Sequence, residues 1–404
     1  MSVSFDFDKL TERRNTASLK WDDCDGADLP LWVADMDFET APAIRKAIED
    51  RTAHGIFGYN IIPDEWNEAY ITWWRTRHNY IIEKDWLVFC TGVVPAISST
   101  VRKLTSPGEN VVILTPVYNI FFNSIINNGC KVVEVPLIYN PEADEESSEK
   151  SFGELSGIAR RAYRIDFDAL EKALADDKTR LLIFCNPHNP VGRIWTGEEL
   201  SRVGELCEKH GVTVLSDEIH CDLTDPGKEY IPFASVSETC KNISITAIAP
   251  TKTFNIAGMQ TAAVSVPNPE LRKKIRRALN TDEVAEPNSF AVPVTVAAFN
   301  EGADWLDALR DYIRKNKILV RDFLAENLPE IRPIPSEATY LLWLDVSATG
   351  MSGHEYAKKL KKETGVYLTA GAEYGRSGEA FVRMNIACPR ERLSEALRRM
   401  TEFS

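Results

Sequence analysis

The chain has 404 residues, of which 44% are hydrophobic and 26% are charged, as is ordinary for a soluble globular protein. This length exceeds what a single hydrophobic core supports, so we expect two domains. The net charge of −13 argues against a surface that binds nucleic acid or an anionic membrane.

The N-terminal residues 1–16 are charged and lack the apolar stretch of a signal peptide, and no apolar run approaches membrane length. The eight cysteines form no C-x-x-C pair, and several, such as Cys90 and Cys185, lie in apolar runs. Buried, unpaired thiols are typical of a reducing compartment. We therefore expect a cytoplasmic protein with no membrane segment and no metal site.

Helical and strand patterns alternate from about residue 40 to residue 290. Residues 66–74 have a helical pattern. Short apolar runs predict buried strands at residues 87–90, 111–114, 131–135, 181–185, 212–215 and 243–248. Continuous apolar strands separated by helices predict a mostly parallel sheet that is covered on both faces.

The helix at residues 200–210 has clear boundary signals. Thr196 and Glu199 form the pattern of a capping box before it, and Gly211 follows it. Residues 181–214 therefore predict a β-α-β unit.

Residues 140–161 are rich in Glu, Asp and Ser. This composition predicts a solvated surface loop. A regulatory role for the loop is the alternative.

The pattern changes after residue 288. A long helical pattern covers residues 291–327, and short strands are predicted at 339–345, 366–368 and 380–386. We expect a large α/β domain at residues 46–289 and a smaller α+β domain formed by residues 1–45 together with 290–404.

Three polar residues each follow a predicted buried strand. They are Asn189, Asp217 and Lys252. Because ligands bind beyond the carboxyl ends of parallel strands, we expect these side chains to share one site. A pyridoxal-phosphate site needs an amide for the ring hydroxyl, a carboxylate for the ring nitrogen and a lysine for the aldehyde. The sequence therefore predicts this cofactor.

Longer motifs carry a resemblance to a known family. They are WVADMDF at residues 32–38, HGIFGY at 54–59, TGVVPAI at 91–97, NPHNPVGR at 186–193, SDEIH at 216–220 and KTFN at 252–255. From residue 30 to residue 390 the chain resembles the fold-type-I pyridoxal-phosphate enzymes of aminotransferase class I/II, and among them the cystathionine β-lyase-like C–S lyase branch.

The physical role of three residues follows from their chemistry. Lys252 would bind the cofactor aldehyde and, once displaced by the substrate amine, remove the proton from the substrate Cα. Asp217 would keep the pyridine nitrogen protonated, so that the ring accepts electrons. Asn189 would donate a hydrogen bond to the ring hydroxyl.

The cofactor phosphate has several candidate partners. Gly92, Val93 and Val94 lie between a strand and a helix, where backbone N–H groups are free to hold an anion. The resemblance implies that Tyr59 reaches the phosphate of a neighbouring subunit, so that a homodimer shares its active sites. Position 260 is Gln where many aminotransferases have a phosphate-binding arginine, and position 249 is Ala where many relatives have a hydroxyl. We expect Thr251 to replace that hydroxyl.

The resemblance also implies the remaining site residues. Tyr118 would stack on the pyridine ring, Arg383 would grip the substrate α-carboxylate, and Ala34 and Tyr59 would lie beside the substrate. A guanidinium group suits a carboxylate because it binds with two parallel hydrogen bonds. His220 stands where many aminotransferases have a tyrosine bonded to the ring hydroxyl. It is either a cofactor contact or a packed histidine.

The resemblance implies a C–S β-lyase that cleaves L-cystathionine or a related L-cysteine S-conjugate to a thiol, pyruvate and ammonia. For cystathionine the thiol is homocysteine, a step of methionine biosynthesis. A class I/II aminotransferase is the first alternative, and Gln260 with the motif at residues 32–38 favours the lyase. A non-enzymatic regulator is the second alternative, and no DNA-binding extension precedes residue 30.

Overall fold

The computed structural model describes residues 5–141 and 162–403. The predicted acidic loop at residues 140–161 falls almost entirely outside the described residues. The α-helices are α1 Leu19–Asp22, α2 Pro42–His54, α3 Asp64–Arg77, α4 Val93–Leu104, α5 Ile120–Ile126, α6 Phe167–Leu174, α7 Gly197–Lys209, α8 Glu238–Ile243, α9 Pro250–Thr253, α10 Pro269–Thr281, α11 Ala291–Glu301, α12 Ala303–Asn327, α13 Gly353–Thr364 and α14 Arg390–Met400.

The strands have two to seven residues. They are β1 Leu29–Pro30, β2 Leu87–Cys90, β3 Asn110–Thr115, β4 Lys131–Pro136, β5 Ile138–Tyr139, β6 Tyr163–Arg164, β7 Thr179–Cys185, β8 Thr213–Asp217, β9 Ser244–Ile248, β10 Ala262–Ser265, β11 Arg332–Pro333, β12 Leu341–Asp345, β13 Val366–Tyr367, β14 Thr369–Ala370 and β15 Phe381–Asn385. Single 3₁₀ turns lie at Lys84–Trp86, Phe233–Ser235, Ala257–Met259, Ser347–Thr349, Gly371–Tyr374 and Arg376–Gly378.

Seven strands form the central sheet, in the order β2-β10-β9-β8-β7-β3-β4. The pairs from β9 to β4 are all parallel, whereas β10 is antiparallel to both β9 and β2. The predicted mostly parallel sheet is confirmed. Because β10 runs against both its neighbours, β2 points in the same direction as β9. The carboxyl ends of β2, β7, β8 and β9 therefore lie at one edge.

The apolar strands of this sheet bury both faces. Val112, Leu182 and Val214 pack with α6 and α7 in one cluster, while Val111 and Leu181 pack with α4, α5 and α10 in another. Alternate residues of a strand point to opposite faces, so helices cover the sheet on each side. The structure is the α/β architecture that the alternating pattern predicted.

The predicted capping box at the start of α7 is present. The Thr196 hydroxyl accepts a hydrogen bond from the backbone N–H of Glu199 at 3.2 Å, and the Glu199 carboxylate accepts one from the N–H of Thr196 at 2.9 Å. The Glu199 carboxylate also binds the buried guanidinium of Arg193. The cap thereby anchors the segment that carries Asn189.

A second, antiparallel sheet has the order β11-β12-β15-β14. It packs with α12, α13 and α14 in a third hydrophobic cluster that also contains residues of α2 and α3. The two sheets come from separate parts of the chain. The domain boundaries at residues 45 and 289 stay a prediction, which this separation supports.

Two details of the predicted C-terminal elements are wrong. The helix expected over residues 291–327 is two helices that meet at Gly302, where a Cβ atom would lie 2.4 Å from both the Ala298 carbonyl oxygen and Phe254. Only glycine therefore fits at the junction of the two helices. The strand expected from residue 339 begins at Leu341, since Thr339 has a φ of 68°.

The eight cysteines are all free, and seven of them are buried. Within residues 5–141 and 162–403, no helix combines the length and the apolar character that crossing a membrane requires.

Candidate functional site

Lys252 lies in the short helix α9, directly after β9. Its side chain is half-buried, and its Nζ atom donates a hydrogen bond to the carbonyl oxygen of Ala34 at 2.6 Å. Burial and the nearby guanidinium of Arg383 lower the pKa of the Lys252 amine to about 8. The site thus contains an amine that loses its proton close to neutral pH.

Asp217 is the last residue of β8 and is buried. Its Oδ1 atom accepts a hydrogen bond from the backbone N–H of Ile219 at 3.2 Å. Burial raises the pKa of this carboxyl group to about 7, although Lys252 acts in the opposite direction. A buried carboxylate of this kind requires a cationic partner, and a protonated pyridine nitrogen would supply one.

Arg383 reaches the same site from β15 of the second sheet. Its Nη1 atom donates to the side-chain oxygen of Asn189 at 3.4 Å, and its Nη2 atom donates to the carbonyl oxygen of Trp32 at 2.9 Å. The guanidinium lies 4.8 Å from the centre of the Tyr374 ring. Its Nε atom is buried and has no hydrogen-bond partner among the described residues. The Arg383 guanidinium therefore still has a free N–H donor with which it can bind a carboxylate.

The half-buried Tyr118 and the buried His220 complete the site. Burial raises the pKa of the Tyr118 hydroxyl to about 12, and both Arg383 and Asp217 influence it electrostatically. Burial, together with the charges of Lys252 and Arg383, lowers the pKa of His220 to about 3. The imidazole is consequently neutral, and its Nδ1 atom lacks a partner within the described residues.

The predicted phosphate partners lie at the same edge of the sheet. Gly92 precedes α4, and no side chain from residues 5–141 or 162–403 caps the N-terminus of this helix. Val93 is buried, Val94 is 36% exposed and Thr251 is buried in α9. Only β10 separates the end of β2 from the end of β9 in the sheet. The free N–H groups of α4 and the hydroxyl of Thr251 form a donor set suited to phosphate.

These features fit pyridoxal phosphate. Four features of the described residues each match one part of the cofactor: a lysine with a lowered pKa, a buried carboxylate without an ion pair, a buried imidazole nitrogen without a partner and an uncapped helix N-terminus. Tyr59 and Gln260 do not join the cluster. Tyr59 is fully exposed, and Gln260 is exposed at the end of a 3₁₀ turn.

The segment at residues 32–38 borders the site and is held by side chains from distant parts of the chain. Asn255 bonds the backbone of Met36 and the carbonyl oxygen of Phe38. Asn385 donates to the carbonyl oxygens of Val33 at 2.5 Å and Asp35 at 2.6 Å. Two of the motifs that carried the resemblance, at residues 32–38 and 252–255, thus contact each other in the structure.

Two tyrosines near the site were not predicted from the sequence. Tyr340 donates to the carbonyl oxygen of Ala34 at 3.1 Å, and Tyr374 lies against Arg383. Tyr340 adjoins an apolar strand, and such a position is typical of core packing. The positive φ of Thr339, the residue before Tyr340, depends on the fold and could not be predicted from the sequence.

The pKa of Lys252 predicts how cofactor binding depends on pH. With a pKa of about 8, roughly a quarter of the amine is neutral at pH 7.5, compared with roughly a thousandth for an ordinary lysine. We expect the rate at which pyridoxal phosphate rebinds to the cofactor-free protein to rise with pH through about 8 and then level off. Stopped-flow absorbance in the visible range measures this rate. A rate that keeps rising tenfold per pH unit up to pH 10 would contradict the lowered pKa.

The family model of aminotransferase class I and II matches residues 28–400. Over 399 residues the chain is 41% identical to cystathionine beta-lyase PatB of Bacillus subtilis (strain 168), and the alignment covers 98% of each protein.

The chain is also similar to solved structures of pyridoxal-phosphate enzymes. Cystalysin from Treponema denticola, which contains pyridoxal 5′-phosphate, superposes with a TM-score of 0.91 at 32% identity, covering 99% of this chain and 98% of its own. The pyridoxal-phosphate-bound C–S lyase from Staphylococcus hominis superposes with a TM-score of 0.87 at 31% identity, covering 98% of both chains.

Proposed function

Since the chain belongs to the aminotransferase class I and II family and is a pyridoxal-phosphate enzyme, we propose that it is a carbon–sulfur β-lyase. Its substrate is L-cystathionine or a related L-cysteine S-conjugate. With cystathionine, one water molecule is consumed, and homocysteine, pyruvate and ammonia are formed. The full-length similarity to a cystathionine β-lyase carries this choice of reaction.

The bound cofactor supplies an electron sink for the electron pair left when the substrate Cα loses its proton. Lys252 removes that proton, because its amine has a lowered pKa and lies beside Asp217 and Arg383. The Cβ–S bond then breaks, and the sulfur leaves as a thiolate, which is a good leaving group because thiols are acidic compared with alcohols. The remaining three-carbon unit is released and hydrolyses to pyruvate and ammonia.

The other buried side chains hold the cofactor and keep it reactive. Asp217 binds the pyridine nitrogen as a carboxylate. Burial alone raises the pKa of Asp217, and pairing with the protonated nitrogen lowers it again. Asn189 donates to the ring hydroxyl, and Tyr118 packs on the ring. His220 contacts the cofactor as a neutral imidazole. The N–H groups at Gly92, Val93 and Val94 and the hydroxyl of Thr251 hold the phosphate.

Arg383 binds the α-carboxylate of the substrate. We expect Arg383→Lys to raise KM strongly, because an ammonium group cannot bind a carboxylate through two parallel hydrogen bonds. Loss of one charged hydrogen bond corresponds to a fall in kcat/KM of roughly 10- to 150-fold. Steady-state kinetics measure this.

Arg272→Lys is the control, since Arg272 is a half-buried arginine that donates to the carbonyl oxygens of Val266 and Pro267, just after β10 and at the opposite edge of the sheet from the site. We expect it to lower the melting temperature and to leave KM unchanged. An unchanged KM in Arg383→Lys would place the substrate carboxylate elsewhere.

The experiment that tests the reaction is a product assay without a keto acid. A β-lyase forms pyruvate and a free thiol from cystathionine with no amino acceptor present. An aminotransferase forms a keto acid only when an acceptor is added, and its amino donor keeps its sulfur. Dependence of turnover on an acceptor would replace the lyase with the aminotransferase alternative.

We propose that the active unit is a homodimer. An exposed apolar surface, formed by Ile56, Phe57, Tyr59 and Ile61, leads into α3. Phe57 packs this surface against the rest of the fold, because its ring stacks on the ring of Phe290 with the ring centres 5.7 Å apart. Apolar side chains in such a group mark an interface, and this supports the expectation that Tyr59 completes the phosphate site of the partner. We also propose a cytoplasmic location, which the eight unpaired cysteines support.

Subunit mixing tests the shared site. Tyr59→Phe removes only the hydroxyl, so we expect an intact dimer that loses pyridoxal phosphate faster on dialysis. When this variant is mixed with inactive Lys252→Ala subunits, each hybrid dimer contains one site with both changes and one site with neither. We expect β-elimination without added cofactor to increase after subunit exchange. Exchange without any increase would mean that Tyr59 acts within its own chain or has no role.

A further inference from the structure

The carbonyl oxygen of Ala34 accepts two hydrogen bonds from side chains that are far away in sequence. Lys252 Nζ lies 2.6 Å from it, and the Tyr340 hydroxyl lies 3.1 Å from it. Ala34 and Tyr340 are buried. Three separate parts of the chain, before α2, in α9 and before β12, therefore meet at one oxygen atom.

The carbonyl groups on each side of Ala34 have a different partner. The carbonyl oxygens of Val33 and Asp35 both accept from the side chain of Asn385. The carbonyl oxygens of Val33 and Asp35 accept no hydrogen bond from Lys252 or Tyr340. Of these three carbonyl oxygens, only that of Ala34 accepts from both side chains. Tyr340 itself is held, because its ring packs edge-on against His220 with the ring centres 6.2 Å apart.

We propose that Tyr340 is a positioning residue for Lys252, because its hydroxyl holds the Ala34 carbonyl at the point where this carbonyl receives the free lysine amine. The inference rests on the proposed function, in which that amine must lie beside the substrate Cα. A lysine side chain has four rotatable bonds, and a fixed acceptor limits where its amine lies when it is not bonded to the cofactor.

Several charged groups act on the Lys252 amine, and a variant that tests Tyr340 must leave them unchanged. They are Arg383 from β15, Asp217 from β8 and Asp35 beside Ala34, and the neutral His220 lies among them. The change Tyr340→Phe alters none of these groups and keeps the ring that packs on His220. A shift in the titration of Lys252 would therefore come from the Ala34 carbonyl.

The first experiment measures the amine in the full-length protein after removal of the cofactor. Competitive labelling with acetic anhydride over a range of pH gives the titration midpoint of Lys252. A carbonyl oxygen binds an ammonium more strongly than a neutral amine. If the Ala34 carbonyl moves away from Lys252, the titration midpoint of Lys252 should therefore fall. We expect Tyr340→Phe to lower it by roughly half a unit to one unit.

Tyr356→Phe is the matched control. The Tyr356 hydroxyl is buried in α13 and has no hydrogen-bond partner among the described residues. We expect this variant to keep the wild-type midpoint. An unchanged or raised midpoint in Tyr340→Phe, or an equal shift in both variants, would overturn the proposal.

The second experiment uses the holoenzyme and substrate that carries deuterium at Cα. We expect Tyr340→Phe to lower kcat by about 3- to 10-fold, the loss of one neutral hydrogen bond, with KM unchanged and a larger deuterium isotope effect on kcat. A rise in KM with an unchanged isotope effect would indicate a merely structural role and would reject the proposal. The labelling experiment needs no turnover, so a failure of the β-lyase assignment would leave its outcome interpretable.

Discussion

Lys252→Ala and Lys252→Arg are both expected to abolish β-elimination and the visible absorption of the bound cofactor. Alanine removes the amine, and arginine keeps the positive charge but has no nucleophilic amine. Among the described residues, the two buried lysines each have an acidic partner: Lys20 pairs with Asp37 at 3.2 Å, and Lys317 pairs with Asp225 at 2.7 Å. No second lysine is therefore placed to substitute for Lys252.

Borohydride reduction followed by peptide mapping identifies the lysine that binds the cofactor. We expect the label on Lys252 in the wild type and no specific label in either variant. Lys273→Ala, at an exposed position of α10, is the control, and it should keep full absorption and turnover. A specific label on any other lysine would show that the site is assigned wrongly.

Asp217→Asn and Asp217→Ala are expected to bind some cofactor but to lose turnover by about 10²–10³-fold or more, as when an electrostatic group of an active site is removed. Without the carboxylate, the pyridine nitrogen loses its proton and the ring becomes a poor electron acceptor. The bound cofactor should also absorb differently, which separates this effect from simple loss of binding. Turnover per bound cofactor is the quantity to measure.

Glu218 provides a matched control for Asp217. Burial raises the pKa of both carboxyl groups to about 7. The Glu218 carboxylate, however, is bonded to Ser216, Tyr230 and the backbone N–H of Phe233. Glu218→Gln should therefore lower the melting temperature and reduce turnover per bound cofactor far less than Asp217→Asn. Equal losses in the two variants would reject the special role of Asp217.

Asp217→Asn should also change how pH affects the stability of the cofactor-free protein. A buried carboxyl group whose pKa rises from 3.8 to about 7 on folding destabilises the fold as pH increases through this interval and by a constant amount above it. Asp217→Asn removes this cost. Its melting temperature relative to the wild type should increase from pH 5 to pH 8.

Six of the seven strands of the central sheet, and the polar residues at its edge, could be predicted from the amino-acid sequence, whereas β10 was not predicted. Short apolar runs alternate with helical patterns, and the capping box at Thr196 and Glu199 acts over three residues, so both depend on local chemistry. The polar residues that end these runs, Asp217 and Lys252 among them, share one edge because parallel strands align their carboxyl ends. The site could therefore be predicted before any contact between its residues was known.

The groups that surround each of these residues are set by tertiary packing and could not be predicted from the sequence. Lys252 and Ala34 are 218 residues apart, and Tyr340 and Ala34 are 306 residues apart, yet they meet at one carbonyl oxygen. The need for glycine at position 302 likewise comes in part from Phe254, a residue distant in sequence. Such contacts, and the pKa values that burial produces, depend on packing between remote segments. Periodicity and spacing record only neighbours along the chain, so they contain no information on these contacts.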